Sequence, residues 1–206
     1  MSERFDKGAA DWDSKPRRIK LAKDVSDAIL EIVKPQKGIR ITDFGTGTGL
    51  LLLSFSDIAG EMTGTDFSQP MLDVLMHKAK EAGIKNLKTD VIDINKDEFE
   101  PESADMITSN MVTHHLPDPE LLFEKAYKAL SAGGYLCVSD LVTEDGTFHD
   151  NPSDDIYHHG FDMDSVGQAL LDAGFRHVEV RPVTYVTKEH DGVKRMYPVF
   201  LAVAQK

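Results

Sequence analysis

The sequence predicts an α/β fold in which a mainly parallel, doubly wound sheet carries helices on both faces. Three observations predict it. Short apolar runs alternate with longer stretches of helical spacing, the first two runs end in glycine or aspartate, and the stretches between runs carry cap residues.

In chain order, residues 1–34 fall outside this rhythm and are helical from Pro16 onward. Ile39 to Phe44 is a strand that ends in glycines. Leu50 to Phe55 is apolar enough to be a buried helix, and Met62 to Thr65 is a second strand ending at Asp66. Ser68 then N-caps a helix with Pro70 in its first turn. Its apolar face is Met71, Leu72, Leu75, Met76 and Ala79, and Gly83 closes it. Strands follow over Leu87 to Ile94, Ala104 to Ser109 and Tyr135 to Ser139. A helix from Pro119 to Leu130 precedes the last of these, with Gly133 and Gly134 marking its end. A helix over Asp164 to Ala173 stops at Gly174, and strands Val178 to Val183 and Met196 to Ala204 follow. The polar segment Lys188 to Lys194 is short enough to be a hairpin turn, so these two strands are antiparallel neighbours. The polar stretch Thr143 to Asp162 joins residues 1–34 as a candidate cover for the active edge of the sheet.

Composition narrows the function. The chain has 206 residues, 41% hydrophobic and 28% charged, which suits one domain over 1–206 with a sizeable core. The balance of 23 basic against 35 acidic residues gives a net charge of -12, which makes nucleic acid and membrane surfaces poor partners. The single cysteine, Cys137, rules out an internal disulfide and a cysteine-based zinc cluster and reads as a small core residue. The N-terminus has no apolar leader region, and the longest apolar stretch, Val199 to Ala204, is too short to span a bilayer, so the expected location is cytoplasmic.

The chemistry concentrates in Asp43-Phe44-Gly45-Thr46-Gly47-Thr48-Gly49, between an apolar strand and an apolar segment. Residues without Cβ let the backbone turn sharply there and approach a ligand closely. A dinucleotide fingerprint would need glycine at Leu50, and a P-loop would need a G-K-[ST] triplet, which does not follow. The loop has no basic residue, so it suits a ligand whose ribose diol and cationic centre want carboxylates and carbonyls.

From about Phe5 to its end, the chain resembles the class I S-adenosylmethionine-dependent methyltransferases, and among them the small-molecule type related to ubiquinone-biosynthesis methyltransferases. Asp43, Gly45, Gly47 and Gly49 match the family's D-x-G-x-G-x-G, with Thr46 between the first two glycines. The segment Thr65 to Leu72 is similar to the family's second motif. The resemblance implies that Asp66 holds the ribose while Phe67 and Met71 flank adenine. Asp93-Ile94, with Asp90 as fallback, fits the position that faces the adenine amino group. Ala104 to Met111 and Leu130 to Leu136 match two later motifs, so Gly45, Gly47, Asp66, Asp93, Asn110 and Met111 would converge on the cofactor. The resemblance also implies a Rossmann-like, seven-stranded sheet with the last strand antiparallel.

The implied function is methyl transfer from S-adenosyl-L-methionine to a small-molecule acceptor, leaving S-adenosyl-L-homocysteine. The alternative is a non-catalytic module that binds the cofactor. His115, or else His114, is the candidate base for an acceptor that must lose a proton. A metal site is not expected: adjacent residues on a strand turn to opposite faces, which sets His114 apart from His115 and His158 apart from His159. Trp12, with Asp13 and Arg17, reads either as part of a lid or as an anchor for the N-terminal helix.

Overall fold

A computed structural model of the protein describes residues 2–149, 156–190 and 192–206. Among them is a seven-stranded sheet: β1 (Ile39–Phe44), β2 (Ala59–Asp66), β3 (Leu87–Val91), β4 (Ala104–Asn110), β5 (Leu130–Leu141), β6 (Arg176–His190) and β7 (Val193–Gln205). The spatial order is β3-β2-β1-β4-β5-β7-β6. Strands β1 to β5 run parallel, and β7 lies antiparallel between β5 and β6. Chain order reverses between β1 and β4, so the crevice beyond their carboxyl ends is the natural place for a ligand.

Neighbouring residues on the central strands feed opposite cores, which is why those strands are apolar on both faces. Met106 and Leu201 pack with Ile29, Phe55, Leu72 and Leu75, under α2 (Pro16–Val33) and α3 (Gln69–Glu81). Their neighbours Ile107 and Ala202 pack on the other face with Phe123, Leu170 and Phe175, under α4 (Pro119–Ala129) and α5 (Met163–Asp172). The N-caps follow the punctuation of the sequence. Ser68 accepts from the Met71 N–H, Asp118 from the Leu121 N–H and Asp162 from the Ser165 N–H. A helix precedes α2 as well, α1 (Ser2–Gly8), with a 3₁₀ turn at Trp12–Ser14 between them.

Several boundaries differ from the sequence reading. The predicted helix over Leu50 to Phe55 is a 3₁₀ turn, Leu52–Phe55. Ser54, Ser56 and Ile58 donate to carbonyls three residues back, and this spacing buries Leu52 and Phe55 together while Leu53 is half-buried and Ser54 exposed. Met76 is 41% exposed, so the buried face of α3 is Met71, Leu72, Leu75 and Ala79. Helix α4 ends without glycine: Leu130 is already extended, and Gly133 and Gly134 lie inside β5. There the register jumps from Ala104↔Leu130 to Met106↔Tyr135, and a Cβ on Gly134 would stand 3.0 Å from the Asp105 carbonyl. Strand β3 stops at Val91, which leaves Asp93 and Ile94 in the turn beyond it. The final strands also run longer than predicted, with Lys188 paired to Arg195 and Glu189 to Lys194; residue 191 at their turn lies outside the described residues. The same holds for 150–155 within the stretch Thr143 to Asp162.

Candidate functional site

The glycine loop bends out of β1 with Gly45, Gly47 and Gly49 all at positive φ, +66°, +53° and +78°. Their surroundings differ. A Cβ on Gly45 would lie 2.4 Å from Val112, and one on Gly49 would lie 2.2 Å from Leu75. Those two glycines therefore serve packing as well as conformation. A Cβ on Gly47 would meet nothing nearer than the Met71 sulfur at 4.0 Å, because that backbone borders open space. The space is a cavity of about 240 Å³ over the carboxyl ends of β1, β2 and β4.

Asp66, the last residue of β2, holds the loop in place. Its Oδ2 accepts the Gly47 N–H at 2.8 Å and its Oδ1 accepts the Ser68 N–H at 2.9 Å. Burial raises its pKa above the usual carboxylate range, against the opposing pull of those donors. Asp43 stands one residue before the end of β1. It is fully buried, accepts the Thr108 hydroxyl at 2.6 Å, and is pushed by burial up to about 7. At the end of β4, Asn110 Oδ1 accepts the Ser139 hydroxyl at 2.8 Å, and Met111 follows at φ +60°. Both face the cavity.

The histidines do not lie on a strand. Thr113–His115 is a 3₁₀ turn, which brings the rings of His114 and His115 to 4.1 Å between centroids. His149, from the segment after β5, joins them at 5.1 and 5.6 Å. Beneath His114 lies Asp140, the penultimate residue of apolar strand β5 and wholly buried. Its Oδ1 is 2.6 Å from His114 Nδ1, and its other oxygen accepts the Thr113 hydroxyl and the His114 N–H. Burial alone would raise Asp140, but His114, Thr113 and the Leu141 N–H outweigh it and hold the carboxyl below its ordinary value. His149 is pushed down to about 3, first by burial and then by the neighbouring His114 and His115. The expectation that adjacent histidines turn apart assumed extended backbone, and the 3₁₀ turn removes that premise.

The N-terminal segment lies across the cavity. Phe5 contacts Phe67, Trp12 and His115 with ring centroids 5.4–5.7 Å apart. Arg18 stacks on Trp12 at 3.5 Å and donates to its carbonyl at 2.9 Å. Asp13 clamps this segment to the glycine loop by accepting the Thr48 hydroxyl and the Lys78 ammonium, both at 2.6 Å. Ser68 donates its hydroxyl to Asp6 at 2.6 Å, which fastens α1 to the start of α3.

Of the residues singled out from sequence, Asp43, Gly45, Thr46, Gly47, Asp66, Phe67, Met71, Asn110, Met111, His114 and His115 line this one cavity. Gly49, Asp93 and Ile94 do not. Gly49 packs on Leu75, Ile94 is buried among the apolar residues of α4, and Asp93 caps its own turn by accepting the Asn95 N–H and the Lys96 ammonium. Ile92 takes the place at the cavity wall. Asp90 is exposed on β3, paired with Thr65. Sequence reasoning missed Asp140, His149 and the cations Arg4 and Arg18. For Asp140 a signal was present, since it follows an apolar run as Asp43 and Asp66 do.

The residues fit a nucleoside with a cationic sulfur: a bare backbone cradle at Gly47, a buried carboxylate at Asp66 beside it, and an apolar wall of Phe67, Met71 and Ile92. Comparison with known proteins agrees. Residues 17–180 match the family described as the methyltransferase domain, and the chain belongs to that family. It is 30% identical over 159 residues to an uncharacterized methyltransferase of Schizosaccharomyces pombe, covering 70% of this chain and 56% of the relative. It is 28% identical over 166 residues to phosphoethanolamine N-methyltransferase 3 of Arabidopsis thaliana, covering 75% of this chain and 32% of the relative. The chain thus spans from a third to a little over half the length of these relatives. Among solved structures, a chain in the complex of the Haloferax volcanii Trm112 methyltransferase activator with a methyltransferase superposes with a TM-score of 0.79, at 20% identity over 100% of this chain and 98% of that one. A methyltransferase from Aquifex aeolicus dependent on S-adenosylmethionine superposes with a TM-score of 0.69, at 23% identity over 93% of each chain. The cofactor of this class is S-adenosyl-L-methionine. No helix among the described residues is long and apolar enough to cross a membrane.

Proposed function

We propose that the protein transfers a methyl group from S-adenosyl-L-methionine to a small-molecule acceptor that carries an anionic group. The observation that carries the reading is the bond from the Gly47 N–H to Asp66. It joins the glycine cradle and the acidic end of β2 into one preformed site, opening into the cavity that Asn110, His114 and His115 share. In this reading Asp66 takes the ribose hydroxyls, Phe67 and Met71 hold adenine, and Gly45 and Gly47 let the backbone approach. Asp93 would reach adenine only if its turn rearranged.

The cofactor supplies a methyl carbon already activated by positive sulfur. The protein then has to align the acceptor and exclude water. The N-terminal segment, through Phe5 and Trp12, is placed to do the second, which supports a cover role for residues 1–34. His115 and His114 stand where an acceptor hydroxyl or amine would shed its proton. The anionic acceptor follows from charge. In a chain of net charge -12, Arg4, Arg17 and Arg18 border the cavity together. Burial, and then Arg17 and Arg4, lower Arg18 to about 10, a crowding of cations that an anion would relieve.

The test is calorimetric titration with S-adenosylhomocysteine, followed by assay of its formation from S-adenosylmethionine with phosphorylated and carboxylated amines and alcohols. Saturable binding with turnover on an anionic acceptor is the expected result. Binding without turnover on any acceptor would favour a cofactor-binding module, and no binding would overturn the reading.

A further inference from the structure

We propose that His114, His115 and His149 form a binding site for one divalent transition-metal ion, with Asp140 as its outer-shell carboxylate. Each ring offers one nitrogen, and these nitrogens lie within 4.8 Å of one another. In a tetrahedral site with metal–nitrogen bonds of about 2.0–2.1 Å, ring centroids stand roughly 5 Å apart. Here they stand 4.1, 5.1 and 5.6 Å apart, so small side-chain rotations would bring all three nitrogens onto one ion.

Two features separate this cluster from a chance gathering of imidazoles. Asp140 is wholly buried and spends Oδ1 on His114 Nδ1 at 2.6 Å, which fixes the ring and leaves Nε2 as the nitrogen for coordination. A carboxylate behind a histidine is the usual outer shell of a zinc site, where it sets the ring's tautomer and raises its basicity. In addition, all three rings border the cavity already described, so an ion held by three imidazoles would keep its remaining position toward the space where the acceptor is placed. Imidazole ligands suit zinc, cobalt, nickel or iron better than magnesium or calcium.

The part of this inference that concerns the acceptor rests on the methyltransferase reading. An oxygen of the acceptor bound at the open position would lose its proton to solvent water more easily, because the ion stabilises the negative charge left behind. The histidines would then serve as ligands and the ion would take over the acceptor's activation.

The test uses untagged protein, stripped with chelator and titrated with Co²⁺ and with Zn²⁺. The expected result is one ion per chain, with the visible absorption bands of tetrahedral cobalt. His149→Ala, on a partly exposed segment, should fold normally by thermal melt and lose that spectrum. Asp140→Asn should weaken zinc binding about 10–100-fold. His77→Ala, on the exposed surface of α3, should bind as the parent does. Absence of stoichiometric binding, or binding that His149→Ala leaves unchanged, would overturn the proposal. S-adenosylhomocysteine binding, measured on the same stripped protein, keeps the two readings apart: its persistence without metal binding sinks this inference alone, and its loss sinks the methyltransferase reading.

Discussion

Asp66 does two jobs at once, and substitutions can separate them. As an acceptor for the N–H groups of Gly47 and Ser68 it ties loop to strand, and in the proposed reading its carboxylate at the cavity wall takes the ribose hydroxyls. Asp66→Ala should cost about 1–3 kcal/mol of stability, because two buried donors lose their partner. Asp66→Asn keeps one acceptor oxygen and should cost less. Both should weaken S-adenosylhomocysteine binding about 10–100-fold by calorimetry, as befits loss of a charge-assisted hydrogen bond. Unchanged affinity in Asp66→Asn would remove the ribose assignment. Asp43 makes a prediction about pH. Its pKa is raised in the folded state, so its contribution to stability is full below the unfolded value near 4 and is lost as pH rises through about 7. Asp43→Asn, which can still accept the Thr108 hydroxyl, should therefore gain melting temperature relative to the parent between those pH values and hold a constant advantage above them. An advantage that shrinks with rising pH would contradict the buried, protonated state.

At the scale of single elements, the glycine loop gives the sharpest contrast. Gly49→Ala drives a Cβ into Leu75 at +78° φ and should destabilise by about 2 kcal/mol or more, read as a lowered melting temperature. Gly47→Val should cost about 1–2 kcal/mol for its backbone strain alone, yet abolish cofactor binding by filling the cradle. If Gly47→Val binds normally, the loop is misread. The sequence showed this loop because glycine spacing and strand context are local. It showed α3 for the same reason, through the cap at Ser68, and α4 and α5 through their helical spacing and, for α5, the stop at Gly174. It did not show that Leu50 to Phe55 would turn as a 3₁₀ segment, since periodicity cannot tell one buried apolar turn from another. Nor did it show that Gly133 and Gly134 serve a bulge opposite Ala104 to Met106, because the strand that demands it is far away in sequence. His149 was invisible for that reason too: only the fold brings it to His114, and no local spacing encodes the meeting.

For the whole molecule, the cavity sits where the sheet, the N-terminal segment and the stretch after β5 meet, so ligand binding should be felt globally. S-adenosylhomocysteine at about 100 times its Kd should add about 2.7 kcal/mol to stability. For a chain of this length that is roughly 5–10 °C of melting temperature. Hydrogen exchange should slow most in α1 and around Phe148, and least in β4, β5 and β7, which are already at the centre of the sheet. A rise in protection confined to the sheet would argue against closure by the N-terminal segment. The placement of β7 has a separate consequence, for the route by which the native state is reached. Tyr135 to Leu141 of β5 waits for a partner that comes only after α5 and β6 have been laid down, and β7 must then zip against two neighbours together. Until it does, this apolar border is an open template for any other extended chain, so renaturation yield should fall as protein concentration rises.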